Sequence, residues 1–108
     1  MKEMNESIEQ LCGLFMKRMR IEADDGSEAE LVAGFIEAGT EYIKDIACGS
    51  EIDFITDMRA RELLYNYVFY ARNECLAEYE KNYGQMLRGL RNRARVKQAK
   101  EGTENAEA

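Results

Sequence analysis

The chain has 108 residues, which fits a single domain, because chains divide into several cores only at about 250 residues and above. It contains no His, no Pro and no Trp, and so lacks the side chain that most often serves as a general base or metal ligand. Its 15 basic and 21 acidic residues leave a formal net charge of −6, which argues against a general nucleic-acid binder. The composition predicts no enzyme, no metal site and no cofactor.

The three cysteines, Cys12, Cys48 and Cys75, do not have the spacing of a zinc site. Their odd number leaves one thiol over from any disulfide framework, which favours a reducing, intracellular setting. We expect buried or half-buried, inert thiols. No uncharged stretch reaches the length of about 20 apolar residues that a membrane span needs, and the charged N-terminus is not typical of a signal peptide.

Charge is distributed unevenly along the chain. Residues 1–54 carry a net charge of −8 and residues 55–108 a net charge of +2. Residues 88–100 contain six basic side chains and no acidic one. A molecule polarised in this way can pair head to tail with copies of itself.

Apolar residues follow a helical period throughout the chain, and no stretch alternates as a strand does. The pattern predicts a first helix over residues 5–20 and a second over residues 28–47. Ser27 and Glu30 are the expected capping box of the second helix, and Gly49 is expected at the left-handed position that ends it.

A third helix is predicted to begin near Asp53 or Thr56 and to continue to Gly84 or Gly89. From Asp57 to Gly84 it would span about 40 Å, which exceeds the diameter of about 35 Å expected for a compact chain of this length. Either its end protrudes, or the chain breaks at Gly84 or Gly89 and a short fourth helix packs back. The predicted fold is all-α, with three to four helices, an antiparallel helical core, a long third helix and a flexible C-terminal tail.

The sequence divides into a helical domain over residues 1–90 and an extension over residues 91–108 that is basic, then polar and partly disordered. Apolar residues at helical spacing on an exposed helix end mark a partner surface. The basic residues beside them have three interpretations: docking on an acidic partner or a neighbouring copy, a solvated helix end, or contact with DNA. The predicted partner or oligomer interface consists of Tyr79, Tyr83, Leu87, Arg88, Leu90, Arg91 and Arg95.

Two other clusters contain residue types that can form binding sites. Asp24, Asp25 and Glu28 form an acidic turn without the ligand spacing of a calcium loop, so we interpret the turn as a solvated loop. A run of tyrosines can form a stacking platform for bases. In an acidic chain we interpret them instead as core and interface residues. They are Tyr65, Tyr67, Tyr70, Tyr79 and Tyr83.

Several short segments follow one another in a distinctive order. In the first half they are Lys17-Arg18-Met19-Arg20-Ile21-Glu22, Asp24-Asp25, Glu30-Leu31, Phe35-Ile36-Glu37-Ala38, Glu41-Tyr42-Ile43 and Cys48-Gly49. In the second half they are Arg59-Ala60-Arg61-Glu62-Leu63-Leu64, Tyr67-Val68, Tyr70-Ala71-Arg72-Asn73, Leu76, Glu78-Tyr79-Glu80 and Asn82-Tyr83. Together, over about residues 8–90, they resemble the head–tail connector, or adaptor, proteins of tailed phages.

The resemblance implies a structural head-completion protein of the virion that assembles as a homo-oligomeric ring, usually a dodecamer, beneath the portal. Such a ring joins the packaged head to the stopper or tail-completion protein, and its C-terminal region contacts the portal. DNA passes through the channel without specific binding. The implied location is the head–tail interface, with assembly in the host cytoplasm and no membrane. The alternative prediction is a helical nucleic-acid-associated or regulatory interaction module that uses the Arg-rich C-terminal segment.

Overall fold

A computed structural model describes residues 6–22, 26–49 and 51–107, with side chains as far as Glu101. The described chain forms α1 (Glu6–Arg18), α2 (Ser27–Ile46), α3 (Met58–Arg72) and α4 (Leu76–Glu107). These ranges contain no strand, and the all-α prediction is confirmed. No helix in these ranges is both long enough and apolar enough to cross a membrane.

The helices pack around one core. α2 contacts α1, α3 and α4, and α3 also packs against α4. The side chains at the centre of the core come from the helical stripes of α1, α2 and α3 and are at most 2 % exposed. They are Leu11, Phe15, Val32, Ile36, Ile43, Leu63, Leu64 and Val68. Burial of these stripes supplies most of the folding free energy, because each such side chain contributes about 1.5–3 kcal/mol on leaving water.

Side chains of α3 pack closely against the backbone of α2 at Gly39. A Cβ atom on Gly39 would lie 2.7 Å from Cδ1 of Tyr67 and 2.8 Å from Cδ1 of Leu64. Real Cβ contacts are longer than this, so only glycine fits between the two helices at this point.

Three helices end in a Schellman motif whose left-handed residue is not glycine. At the end of α3, the N–H of Cys75 donates to the Tyr70 carbonyl at 2.9 Å, and the N–H of Glu74 donates to the Ala71 carbonyl at 3.1 Å. This pair of bonds defines the motif. The left-handed residues, with φ of 56°, 60° and 56°, are Arg20, Cys48 and Glu74.

The boundaries of α2 differ from the prediction at its two caps. The N-cap is Gly26, so Ser27 is the first helical residue and not the capping residue. At the other end, Cys48 and not Gly49 occupies the first left-handed position, and Gly49 follows it with φ of 75°. The N–H of Gly49 donates to the Lys44 carbonyl at 2.8 Å, so the motif still satisfies a terminal carbonyl.

The predicted third helix is in fact two helices. The chain turns over residues 73–75, and α4 packs back on α3. One of the two predicted outcomes was a helix that folds back, and α4 does so. However, Gly84 and Gly89 lie inside α4 and do not break the helix. A Cβ atom there would meet only a guanidinium nitrogen, that of Arg88 at 3.5 Å or that of Arg93 at 3.6 Å. The prediction placed the break wrongly because the turn uses Glu74 in the conformation that usually signals glycine.

α4 extends beyond the core. Its 32 residues correspond to about 48 Å of helix, and the longest dimension of the molecule is 55 Å. Ala94 is the last buried residue, and the described side chains from Arg95 to Glu101 are all exposed. The predicted domain boundary at residue 90 therefore falls within a continuous helix. The predicted disordered tail lies, from residue 102 onward, outside the described side chains.

Candidate interaction surface

The structure places the seven predicted interface residues on opposite sides of α4. Tyr79, Leu87 and Leu90 are 0 %, 5 % and 7 % exposed, so they belong to the core of this chain and are not the exposed partner surface that the sequence predicted. The reason is the reversal over residues 73–75, which turns the apolar face of α4 onto α2 and α3. Tyr83 is half-buried. Only the three arginines of the set remain exposed.

A cluster of five tyrosines packs α4 against α2 and α3. Tyr79 is at its centre, stacked on Tyr83 with ring centroids 5.2 Å apart and edge-on to Tyr67 at 5.6 Å. The Tyr79 hydroxyl donates to the Leu63 carbonyl at 2.8 Å, and burial raises the pKa of Tyr79 well above its usual range. The cluster is core packing and not a stacking platform, since the central ring has no exposed face. Its members are Tyr42, Tyr67, Tyr70, Tyr79 and Tyr83.

Polar groups at the rim of the cluster hold the first turns of α4. The Tyr42 hydroxyl of α2 donates to Oε1 of Glu80 at 3.2 Å, and the Tyr70 hydroxyl of α3 accepts from Nδ2 of Asn82 at 3.1 Å. Burial, and to a smaller degree the negative charge of Glu80, raises the pKa of Tyr42. The N-terminal half of α4 is thus fixed to both α2 and α3.

Two ion pairs join helices in the described part of the chain, and three of their four residues, Arg18, Glu62 and Arg72, lie in segments that carry the connector resemblance. The Arg18 guanidinium bonds both carboxylate oxygens of Glu62, with Nη2 3.2 Å from Oε2, and lies 5.6 Å from the centroid of the Tyr65 ring. Arg72 pairs with Glu28 between α3 and the first turn of α2. These motif residues therefore have a role in the fold, independent of any role in assembly.

The outward side of α4 carries a row of positive charges, named here the basic stripe. Lys81 and three arginines are spaced by 7, 3 and 4 residues, which places them on one side of a helix. All are exposed. From Lys81 to Lys100 the sequence has seven basic residues and no acidic one. The basic stripe consists of Lys81, Arg88, Arg91 and Arg95.

The outward side of α2 carries the opposite charge, and we name it the acidic stripe. It consists of Glu30, Glu37, Glu41 and Asp45, spaced by 7, 4 and 4 residues and all exposed. Lys44, the one basic residue of α2, is half-buried beside them. The net charge of the first half of the chain does not by itself predict this stripe, whereas the helical spacing of its acidic residues does.

A cleft of about 370 Å³ lies between residues 90–97 of α4 and the connection between α2 and α3. Arg93 and Lys97 line one side, and acidic residues including Asp53 and Asp57 line the other. These two carboxylates already serve the backbone: Asp53 accepts from the N–H of Ile55 at 3.0 Å and Asp57 from that of Ala60 at 3.1 Å. The bond from Ile55 is the main cause of the lowered pKa of Asp53. We interpret the acidic wall as structural, because Asp57 caps α3 and Asp53 holds the turn that precedes it.

The remaining candidates for chemistry are dispersed. Cys12 is buried, which raises its pKa, Cys75 is half-buried and Cys48 is exposed, unlike its prediction. Within the described ranges no group of His, Cys, Asp and Glu side chains is arranged to hold a metal ion. Asp24 and Asp25 of the predicted acidic turn lie outside the described residues.

Comparison of the chain with known protein families, with curated proteins and with solved structures finds no match. The remaining indication of function is the molecular surface. Two features dominate that surface: the acidic stripe of α2 and the basic stripe of α4, whose helix continues beyond the core.

Proposed function

We propose that this chain is a structural subunit of a phage head–tail connector, which assembles as a ring beneath the portal and joins the DNA-filled head to the stopper or tail. The observation that carries the proposal is the form of α4. Its inner face closes the subunit core, while its outer face and distal part stay exposed and, from Lys81 to Lys100, contain seven basic and no acidic residues. A long, exposed and charged helix of this kind offers a surface to which another protein can bind.

The segment order of the sequence supports the same proposal. Most of the segments that resemble connector proteins lie in α1, α2, α3 and the first turns of α4, while Cys48-Gly49 follows α2 and Asp24-Asp25 lies outside the described residues. In connectors the C-terminal region contacts the portal. The resembling segments end at Tyr83, and we propose that the part of α4 beyond Ala94 is the portal-facing element of this chain. The proposed location is the head–tail interface of the virion, with assembly in the host cytoplasm.

The net charge of the subunit is compatible with a DNA channel. At a formal charge of −6, a ring of copies carries a strongly negative total charge. A lumen of that sign repels phosphates. DNA would then pass through without being held.

The test is native mass spectrometry of the full chain, alone and with the cognate portal protein. We expect a monomer or loose oligomer alone and a ring of many copies bound to the portal in the mixture. A chain that shows no association with the portal at any ratio overturns the proposal.

A second candidate is a helical module that binds nucleic acid through the Arg-rich part of α4. The observation in its favour is the same acid-free run of basic residues, since lysine and arginine that contact phosphates supply most of the affinity for DNA. Fluorescence anisotropy with duplex DNA across a salt series separates the two. A steep fall of affinity with salt, together with indifference to the portal, would support this second function.

A further inference from the structure

We infer that the acidic stripe of α2 docks on the basic stripe of α4 of the next copy of this chain. The inference rests on the proposed function, because it names the contact between neighbours that would build the ring. The occupant is a second copy, since each molecule carries both members of an oppositely charged pair of surfaces.

The two stripes match in length and spacing. The acidic stripe spans 16 residues of α2 and the basic stripe 15 residues of α4, so the first and last charges of each stripe are about 22 Å and 21 Å apart along the helix. Spacings of 7, 4, 4 and 7, 3, 4 residues place four charges on each helix. When the two stripes lie parallel, successive charges coincide to within about 1.5 Å.

Small residues accompany the charges on both helices. Gly34 lies between Glu30 and Glu37 on the exposed side of α2, and a Cβ atom on it would meet nothing within 4 Å. Gly84 lies between Lys81 and Arg88 on α4, where a Cβ atom would meet only an Arg88 nitrogen at 3.5 Å. Packing inside the subunit therefore does not require either glycine, although glycine weakens a helix interior. Both positions would allow a neighbouring helix to approach closely.

The stripes cannot meet within one molecule. α2 and α4 contact each other through their inner sides, where the rings of Tyr42 and Tyr79 have centroids 6.3 Å apart. Both stripes face away from that contact. Joining the acidic stripe of one copy to the basic stripe of the next uses a different surface on each partner, and such a head-to-tail contact generates a ring when its rotation closes.

The strength of the contact follows from its exposure. Ion pairs between exposed side chains are individually weak and are screened by salt. We therefore expect self-association that is weak in solution, falls as salt is raised, and becomes complete when a portal holds the copies side by side.

The first variant reverses the basic stripe with Arg88→Glu, Arg91→Glu and Arg95→Glu. Self-association, measured by sedimentation velocity at low salt, should weaken at least about tenfold because like charges then face each other. The matched control reverses three basic residues of the same helix outside the stripe, Arg93→Glu, Lys97→Glu and Lys100→Glu. It has the same net charge and should associate more strongly than the stripe variant.

The second variant reverses the acidic stripe with Glu30→Lys, Glu41→Lys and Asp45→Lys. It should also fail to associate alone. An equimolar mixture of the two stripe variants should associate again, because each then offers the surface that the other one needs. Circular dichroism and urea midpoints check that every variant is folded, as the exposure of all six side chains predicts.

In solution, the inference is overturned by stripe variants that associate like the unaltered chain, by a mixture of folded variants that stays monomeric, or by an unaltered chain that stays monomeric at low salt. If reversal of the basic stripe abolishes only DNA binding, the surface belongs to nucleic acid. If rings of both stripe variants still form on the portal, the inference fails while the connector function stands. If the unaltered chain ignores the portal, the connector function itself fails.

Discussion

The hydroxyl of Tyr79 donates a hydrogen bond of 2.8 Å to the backbone carbonyl of Leu63. It joins the first turn of α4 to α3 across the reversal at residues 73–75. The Tyr79 ring is 0 % exposed and lies among four other tyrosines. This bond and its surroundings determine which side of α4 faces the core and which side is left to partners.

Tyr79→Ala should lower the free energy of unfolding of the isolated chain by about 3–5 kcal/mol, the usual loss for a large buried ring. Tyr79→Phe should cost about 1 kcal/mol, because it removes only the hydrogen bond. Tyr83→Ala, at a half-buried position, is the control and should cost less than Tyr79→Ala. Urea unfolding followed by circular dichroism measures all three. Equal losses for the two alanine variants would contradict the central position of Tyr79.

The stability of the chain should fall in alkali. Burial raises the pKa of Tyr79 and of Tyr65 and Tyr83, so the folded state keeps these phenols neutral where the unfolded state begins to lose its protons. The resulting stabilisation is complete below the ordinary tyrosine pKa of about 10 and is lost as the pH rises further. Urea unfolding at a series of alkaline pH values should show the decline, and Tyr79→Phe should make it shallower. A constant free energy of unfolding across that range would show that these phenols are not protected.

Two glycine-to-alanine substitutions should have opposite effects. Gly84→Ala should raise the free energy of unfolding by about 0.5–1 kcal/mol, because alanine favours helix and its Cβ meets only a flexible arginine. Gly39→Ala should lower it by about 1–3 kcal/mol, because its Cβ would lie 2.7 Å from the Tyr67 ring. Thermal denaturation of both variants checks the signs. A lower stability of the Gly84→Ala variant would mean that α4 bends at this residue.

Glu74→Gly should stabilise the chain by about 1 kcal/mol. Glu74 has φ of 56° at the end of α3, a conformation that is costly for any residue with a Cβ atom and not for glycine. The matched control is Glu78→Gly in the first turn of α4, where glycine should lower stability because it replaces a helix-favouring residue and removes a negative charge near the helix N-terminus. Chemical denaturation of both variants measures the two changes in the free energy of unfolding. If both changes have the same sign, the left-handed conformation of Glu74 is contradicted.

Helical periodicity was sufficient to predict α1 and α2 to within two residues, because apolar stripes determine both helices and short polar turns end them. It was not sufficient for the break between α3 and α4. The segment Asn73-Glu74-Cys75 contains neither glycine nor proline, and its Schellman motif depends on Glu74 taking a conformation that its residue type disfavours. Gly84 and Gly89 are the stronger breakers in sequence, yet the packing of α4 along α3 keeps them helical.

The same break determines how well the interaction surface could be predicted. Arg91 is exposed in either arrangement, because its charge keeps it in water. Tyr79 and Leu87 have no such constraint: they are surface on a protruding helix and core on a helix that folds back. Their placement follows from the direction of the chain after residue 75, which local sequence does not encode.

α4 is one continuous helix, but its two parts are unequally protected from hydrogen exchange. As far as Ala94 it is held by the core, whereas the side chains of residues 95–101 are all exposed, with Gln98 donating to the Cys48 carbonyl at 3.3 Å. Amide hydrogens in the first part should exchange with solvent only when the domain opens widely, and those in the second part by local fraying. A protein that binds the distal part would slow the second class alone, so hydrogen exchange along this helix would locate a bound partner residue by residue.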